Sequence, residues 1–162
     1  MAARVLVCVP VDRAQAASLI AGAELAGPLQ VFQANAELRA GFGLGADENE
    51  AAEYACLLIA ALWGLTRYGH RLVLTAQVDP AGLGPGAEPG NGGRTLAGLS
   101  LDRVEAFFTD DPGAELGELT GQLRGLDLDS AWALPPVAEL HREHDLLWHS
   151  VVELGVFLDS IG

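Results

Sequence analysis

Apolar positions along this chain fall into short blocks whose spacing switches between the period of a strand and that of a helix. Val5 to Val11 is a continuous, mostly β-branched run, the pattern of a strand covered on both faces. Asp12 and Gln15 stand at the spacing of a capping box and open a helical pattern that continues to about Leu25. Gly27-Pro28 interrupts the chain before a second strand, Leu29 to Ala34. Strand, helix and strand in this order predict a right-handed parallel crossover.

A short helical piece around Glu37 to Ala40 and the glycine-rich turn Gly41 to Gly45 lead to a long helix from about Asp47. Asp47 with Glu50 forms a second capping pair, and Arg67 and Gly69 suit the helix's C-terminal end. Tyr54 to Leu65 is apolar nearly all round, as expected of a helix covered on several sides. A third strand follows from His70 to Val78. Residues 79–94 are dominated by Gly and Pro and are expected to form a mobile loop inside the domain. Thr95 to Leu101 and Arg103 to Thr109 read as a fourth and a fifth strand. Asp110-Asp111-Pro112 opens a helix to about Leu126, with Pro at its first position. Beyond the irregular link at Pro135-Pro136, a final helix runs from about Val137 to Leu158.

These elements predict an α/β fold: a single domain over residues 1–162, with a mixed sheet of four or five strands, mostly crossover-connected and flanked by helices. The Gly/Pro-rich stretch at 79–94 is an internal loop of that domain. A chain of 162 residues suffices for one core and is short for two.

Composition narrows the function classes. Twenty-two acidic side chains against nine basic ones give a net charge of −13, which opposes binding to nucleic-acid backbones and anionic membrane surfaces. A basic protein partner is compatible with it. Polar residues interrupt every apolar run before the roughly 18 residues needed to cross a bilayer. The N-terminal apolar stretch is too brief for a secretory signal, so a cytoplasmic location is expected. Cys8 and Cys56 lie in apolar runs, have no metal-ligand spacing and read as core residues.

Side-chain chemistry concentrates near the C-terminus, where three of the four histidines lie within His141 to His149. On a helical wheel, Leu140, Leu147, Val151, Leu154 and Leu158 share one face, with His144 and Trp148 at its edge. His141, Asp145 and His149 follow at four-residue steps, and such a stripe suits a divalent metal or a histidine oriented by Asp145 as a general base. The spacing matches neither zinc-protease motif. The plainer reading packs His144 and Trp148 at the core boundary and leaves His141, Asp145 and His149 solvated.

A second candidate is the set of carboxylates that follow strands: Asp12, Asp79, and Asp110 with Asp111. At the carboxyl ends of parallel strands they would converge where open α/β sheets bind ligands, and could hold Mg²⁺. As structural residues, Asp12 and Asp111 would instead cap helices and Asp79 would form a turn with Pro80. Gly41 to Gly45 and Gly90-Asn-Gly-Gly-Arg94 lack the spacing of nucleotide-binding loops. No serine sits in a nucleophile elbow.

Several segments look like a known family. Arg4-Val-Leu-Val-Cys-Val-Pro, the acidic stretch leading into Glu53-Tyr54-Ala55, Arg71-Leu-Val-Leu, Asp110-Asp111 and His144-Asp145-Leu-Leu-Trp148 resemble a group of small acidic actinobacterial proteins, a domain of unknown function. The resemblance spans nearly the whole chain and implies a cytosolic single-domain protein with no assigned activity. An aromatic residue, commonly Tyr, stands in that group where this chain has His149. The departure counts against a metal site built on His149 and marks His144, Asp145 and Trp148 instead.

The expectation is a non-catalytic cytosolic protein-interaction or regulatory protein, with His141 and Trp148 as candidate surface residues and no predicted cofactor. The competing expectation is a divalent-metal-dependent enzyme or small-ligand-binding protein using His144 and Asp145, or the strand-end Asp12 and Asp110. A shared concave pocket would favour the second, and an exposed apolar patch the first.

Overall fold

Val5–Pro10 forms β1, with Val7 and Val9 facing one side of the sheet and Cys8 the other, as the two-residue period of a strand requires. The computed structural model describes residues 3–161; Met1, Ala2 and Gly162, part of the expected 1–162 domain, lie outside the described residues. The other strands are β2 (Leu25–Phe32), β3 (Val73–Val78), β4 (Leu83–Pro85), β5 (Gly93–Leu99), β6 (Val104–Thr109) and β7 (Leu147–Ser150). They form one seven-stranded sheet in the order β4-β5-β2-β1-β3-β6-β7. Every neighbouring pair is antiparallel, so the α/β class holds while the expected mixed sheet of four or five strands does not.

The parallel crossover is corrected at its helix. The predicted capping box is present, with the Asp12 carboxylate accepting the Gln15 N–H at 2.7 Å and the Gln15 side chain accepting the Asp12 N–H at 3.0 Å. The helix it opens, α1 (Arg13–Ile20), is only eight residues and stops short of Leu25. Gly22 then takes a φ of 91°, open to glycine, and the chain turns straight into β2. Gly27-Pro28 does not precede this strand but lies inside it, at a shift in register against β5.

Helices cover both faces. On one side Ala16 and Leu19 of α1 and Leu154 of α7 (Leu154–Ile161) pack on Val7, Val9, Leu74 and Phe107. On the other, α3 (Asn49–Tyr68) lies on Cys8, Phe32 and Val73. The short helices α4 (Gly117–Leu123), α5 (Leu128–Trp132) and α6 (Pro135–Glu143) cover its outer side through Leu123, Leu128 and Val137. This double cover explains why α3 is apolar all round. Burying Ile59, Leu62 or Leu65 stabilises the fold by about 2 kcal/mol each. Gly69 closes α3 in the left-handed conformation, as expected, whereas Asp47 does not cap it: the helix starts at Asn49, and Glu48 turns its carboxylate back to the Gly45 N–H.

Residues 79–94 are not the expected loop. They contain β4 between two turns of 3-10 helix, after α2 (Ala36–Phe42) has set the Gln33–Asn35 corner beside them. Gln30 holds the Ala87 backbone through both its N–H and its carbonyl, and Glu88 accepts the Leu128 N–H at 2.9 Å. Gly93 lies so close to the Ala87 carbonyl that a Cβ would stand 1.7 Å from its oxygen.

Two expected helices are also replaced. Asp111 accepts the Gly113 N–H at 2.9 Å and makes a turn instead of a cap, so α4 begins only at Gly117. The predicted helix Val137 to Leu158 is three elements: α6, strand β7, and α7 after a 3-10 turn at Val151–Glu153. The backbone leaves the helix at His144 (φ −132°, ψ 90°), and residues 147–150 pair with the free edge of β6. Cross-strand pairs such as Phe107 with His149 and Phe108 with Trp148 contribute about 0.2–1 kcal/mol each beyond the ladder bonds.

Candidate functional site

Strand direction decides which chemical groups meet. β1 and β6 flank β3 and both run antiparallel to it, so both end where β3 begins. β7 also begins there, with Leu147 opposite Thr109. Asp12, Arg13, His70, Arg71, Asp110, Asp111 and His144 therefore gather at one end of the sheet. Asp79 follows β3 and falls at the opposite end, where its carboxylate accepts the Ala81 N–H at 2.9 Å. Asp12, Asp110 and Asp111 thus lie at the same end of the sheet, through antiparallel strands rather than parallel ones, with Asp12 two strands away from the other pair, and Asp79 lies at the opposite end.

Arg71 is the centre of this end. It is 1% exposed, its Nε donates to Asp110 Oδ1 at 2.6 Å, and its own backbone N–H donates to Asp110 Oδ2 at 3.0 Å. Its Nη2 donates to the His144 carbonyl at 3.3 Å, whereas Nη1 is buried and has no partner among the described residues. The Asp110 carboxylate is thus committed to a buried guanidinium, which removes it as a ready metal ligand. Asp12 is likewise held in its capping box.

His144 Nδ1 donates to Asp111 Oδ2 at 2.9 Å. That hydrogen bond, then the Gly113 N–H, hold the Asp111 carboxyl below its usual range. With Nδ1 carrying the donated proton, Nε2 is left as the proton-accepting nitrogen, the arrangement of an oriented base. Among the described residues no hydroxyl or thiol bonds to that nitrogen, so the dyad has no paired nucleophile.

The other residues of the C-terminal cluster separate. His141 turns inward from α6 against the Trp132 ring, with ring centroids 4.8 Å apart and Nε2 buried without a partner among the described residues. Burial, and then the Arg71 charge, push its pKa down to about 4. His149 stacks on Phe107 at 4.7 Å, and its Nε2 meets the Thr109 hydroxyl at 2.9 Å. Asp145 is exposed. The predicted stripe of His141, Asp145 and His149 does not form, because the helix that would align them ends at Glu143. Trp148 is 63% exposed on β7 rather than packed at a core boundary. Among the described residues no group of three or more His, Cys, Asp or Glu side chains is placed to hold a metal ion.

Two cavities of about 310 Å³ each adjoin the dyad. One, between α4 and α6, carries Glu115, Glu118, Glu139 and Glu143 and has His144 on its wall. The other lies at the sheet end, lined by Arg13, His70, Arg71, Thr109, Asp110 and Asp111 and closed by apolar side chains, Phe157 and Ile161 of α7 among them. Arg13, His70 and Arg71 were not among the candidate site residues of the sequence. A single arginine at the head of an apolar strand was the available signal, because such a residue enters the interior only with a carboxylate partner.

No helix among the described residues is long and apolar enough to cross a membrane. No family model, curated protein or solved structure matches the chain.

Proposed function

We propose that this is a cytosolic protein-interaction protein that docks a basic, extended segment of a partner along β7. The observation that carries this reading is the contrast between the two edges of the sheet. At one edge β4 is three residues long and ends in Pro85, features that discourage strand addition. At the other, β7 is Leu147-Trp148-His149-Ser150, without proline, and Trp148 is 63% exposed. Val152 and Val156, 84% and 74% exposed, follow within the next turns. An exposed tryptophan on an open strand offers both a backbone ladder and an aromatic anchor to an incoming chain.

Charge selects the partner. From residue 141 to 159 the exposed charges are Glu143, Asp145, Glu153 and Asp159 against Arg142 alone. With a net charge of −13 on each molecule, a second copy is repelled, whereas a Lys- or Arg-rich strand is attracted. Among the described residues no hydroxyl or thiol bonds to the oriented His144, which fits a binding role.

The test is chemical cross-linking and mass spectrometry of the protein in a lysate of its source cells, followed by titration with the purified candidate partner. The reading expects a basic protein cross-linked to residues 147–156. Its affinity should fall about 30-fold or more in Trp148→Ala, the loss of a hot-spot side chain, and decline as salt is raised. Equal retention by wild type and Trp148→Ala, or self-association alone by light scattering, would overturn it.

A further inference from the structure

The cavity at the sheet end is lined in an order set by the strands that build it. Next to β1 lie Arg13 and His70; in the middle, at the start of β3, lies Arg71; next to β6 lie Asp110 and Asp111. Neighbouring strands are about 4.8 Å apart, so the side with Arg13 and His70 is about 10 Å from the side with Asp110 and Asp111, and Arg71 lies between them, bonded to Asp110.

Each side keeps free bonding capacity. His70 Nε2 meets the Val11 carbonyl at 3.2 Å, and since a carbonyl only accepts, Nε2 donates and Nδ1 faces a ligand as an acceptor, bonding a carboxylate only when it carries a proton. Arg13 spends one N–H on the Ile161 carbonyl at 3.4 Å. Arg71 is spent inside the protein on Asp110 and the His144 carbonyl, so here it is a fixed positive charge rather than a donor to a ligand. On the acidic side, each oxygen of Asp110 and Asp111 accepts one hydrogen bond from the protein and retains a second lone pair.

Such a site disfavours ions of one sign. A phosphate or dicarboxylate would face two aspartates, and a divalent cation would face Arg13 and Arg71. A zwitterion satisfies both sides. The ammonium and carboxylate of an α-amino acid, with a hydrogen bond of about 2.8 Å at each end, span about 8 Å. Leu72, Phe157 and Ile161 supply an apolar wall, and a volume of about 310 Å³ is at the small end of ligand pockets.

We propose that this cavity binds a free α-amino acid with an apolar side chain, its ammonium on Asp110 and Asp111 and its carboxylate on Arg13, beside His70. The site is independent of the β7 edge.

The experiment is a thermal-shift titration of the full chain with each of the twenty amino acids, followed by calorimetry on those that act. The expected result is a saturable rise in Tm with at least one apolar amino acid. N-acetylation, which removes the ammonium, and amidation, which removes the carboxylate, should each abolish it. Arg13→Gln, an exposed substitution that leaves the fold intact by circular dichroism, and Asp111→Asn should each weaken binding about tenfold or more, while Trp148→Ala binds as wild type does. The proposal is overturned if no amino acid shifts Tm, if the blocked derivatives bind as well as the free ones, or if folded Arg13→Gln binds unchanged.

Discussion

His144 and Asp111, 33 residues apart in the chain, meet through a 2.9 Å hydrogen bond that ties the segment entering β7 to the turn leaving β6. Because His144 holds the Asp111 carboxyl below its usual range, the folded state gives up this proton more readily than the unfolded one. The resulting stability is present above the unfolded carboxyl's value of about 3.9 and is lost as pH falls through the lowered folded value. Asp111→Asn should therefore be less stable than wild type near neutrality, and the gap should close in acid. Urea unfolding of both proteins across pH checks this; a gap that does not change with pH would show that the pair contributes nothing through ionisation.

His141 titrates in a different window. Unfolded, its imidazole takes a proton near pH 6.5, whereas in the folded chain burial and Arg71 delay this to about 4. Between those values the unfolded state binds more protons, so stability falls as pH drops through that range. Replacing His141 with Leu should flatten this part of the stability–pH curve. Parallel curves for the two proteins would refute the assignment.

The Arg71–Asp110 pair tests what holds the sheet end together. Asp110→Ala leaves a buried guanidinium without its carboxylate and should cost about 3–5 kcal/mol. Arg71→Met with Asp110→Ala should recover much of that loss, since an apolar pair of similar size removes the unpaired charge. A double-mutant cycle from chemical denaturation measures the coupling. Simple additivity would contradict a direct pairing.

Gly93 and Gly90 provide a matched pair within residues 79–94. A methyl group at Gly93 meets the Ala87 carbonyl and must displace backbone, so Gly93→Ala should destabilise by roughly 1–3 kcal/mol. At Gly90 nothing lies within 4 Å, and Gly90→Ala should stay within about 0.5 kcal/mol of wild type. Equal effects would mean that the segment is looser than its contacts indicate.

Cys8 and Cys56 are both buried and free, and the neighbouring Cys8 thiol, then burial, raises Cys56 well above the usual thiol value. Neither should react with a thiol reagent such as Ellman's reagent in the folded protein, and both should react after unfolding. Fast labelling of the native chain would place a cysteine at the surface.

Much of the layer structure was legible in the residues. The all-round apolar α3, the Asp12–Gln15 box and the Gly69 cap follow from local chemistry. Strand direction did not. A continuous apolar run such as Val5 to Val11 reports cover on both faces, which is common in parallel sheets; an antiparallel sheet clad on both sides produces the same run. Asp12, Asp110 and Asp111 were expected at one sheet end from a parallel arrangement and share that end because alternate strands of an antiparallel sheet run in the same direction.

The C-terminal segment misled for another reason. Residues 135–143 and 154–161 are both helical, and no Gly or Pro stands between them to announce the break. What ends the first helix is the open edge of β6, a partner far away in sequence. Leu147-Trp148-His149-Ser150 satisfies a helical wheel and a strand equally well, so tertiary pairing decides.

The order of the strands carries a consequence for the growing chain. β1 emerges first yet lies in the middle of the sheet, and its long ladder waits for β3. His144, β7 and α7 emerge after every other wall of the sheet-end cavity. A ribosome-bound intermediate can own a nearly complete sheet while lacking the dyad, the β7 edge and the side chains of α7 that close the pocket. The sheet-end cavity is therefore walled in only once α7 has emerged, which makes its closure a report that synthesis has passed through that helix.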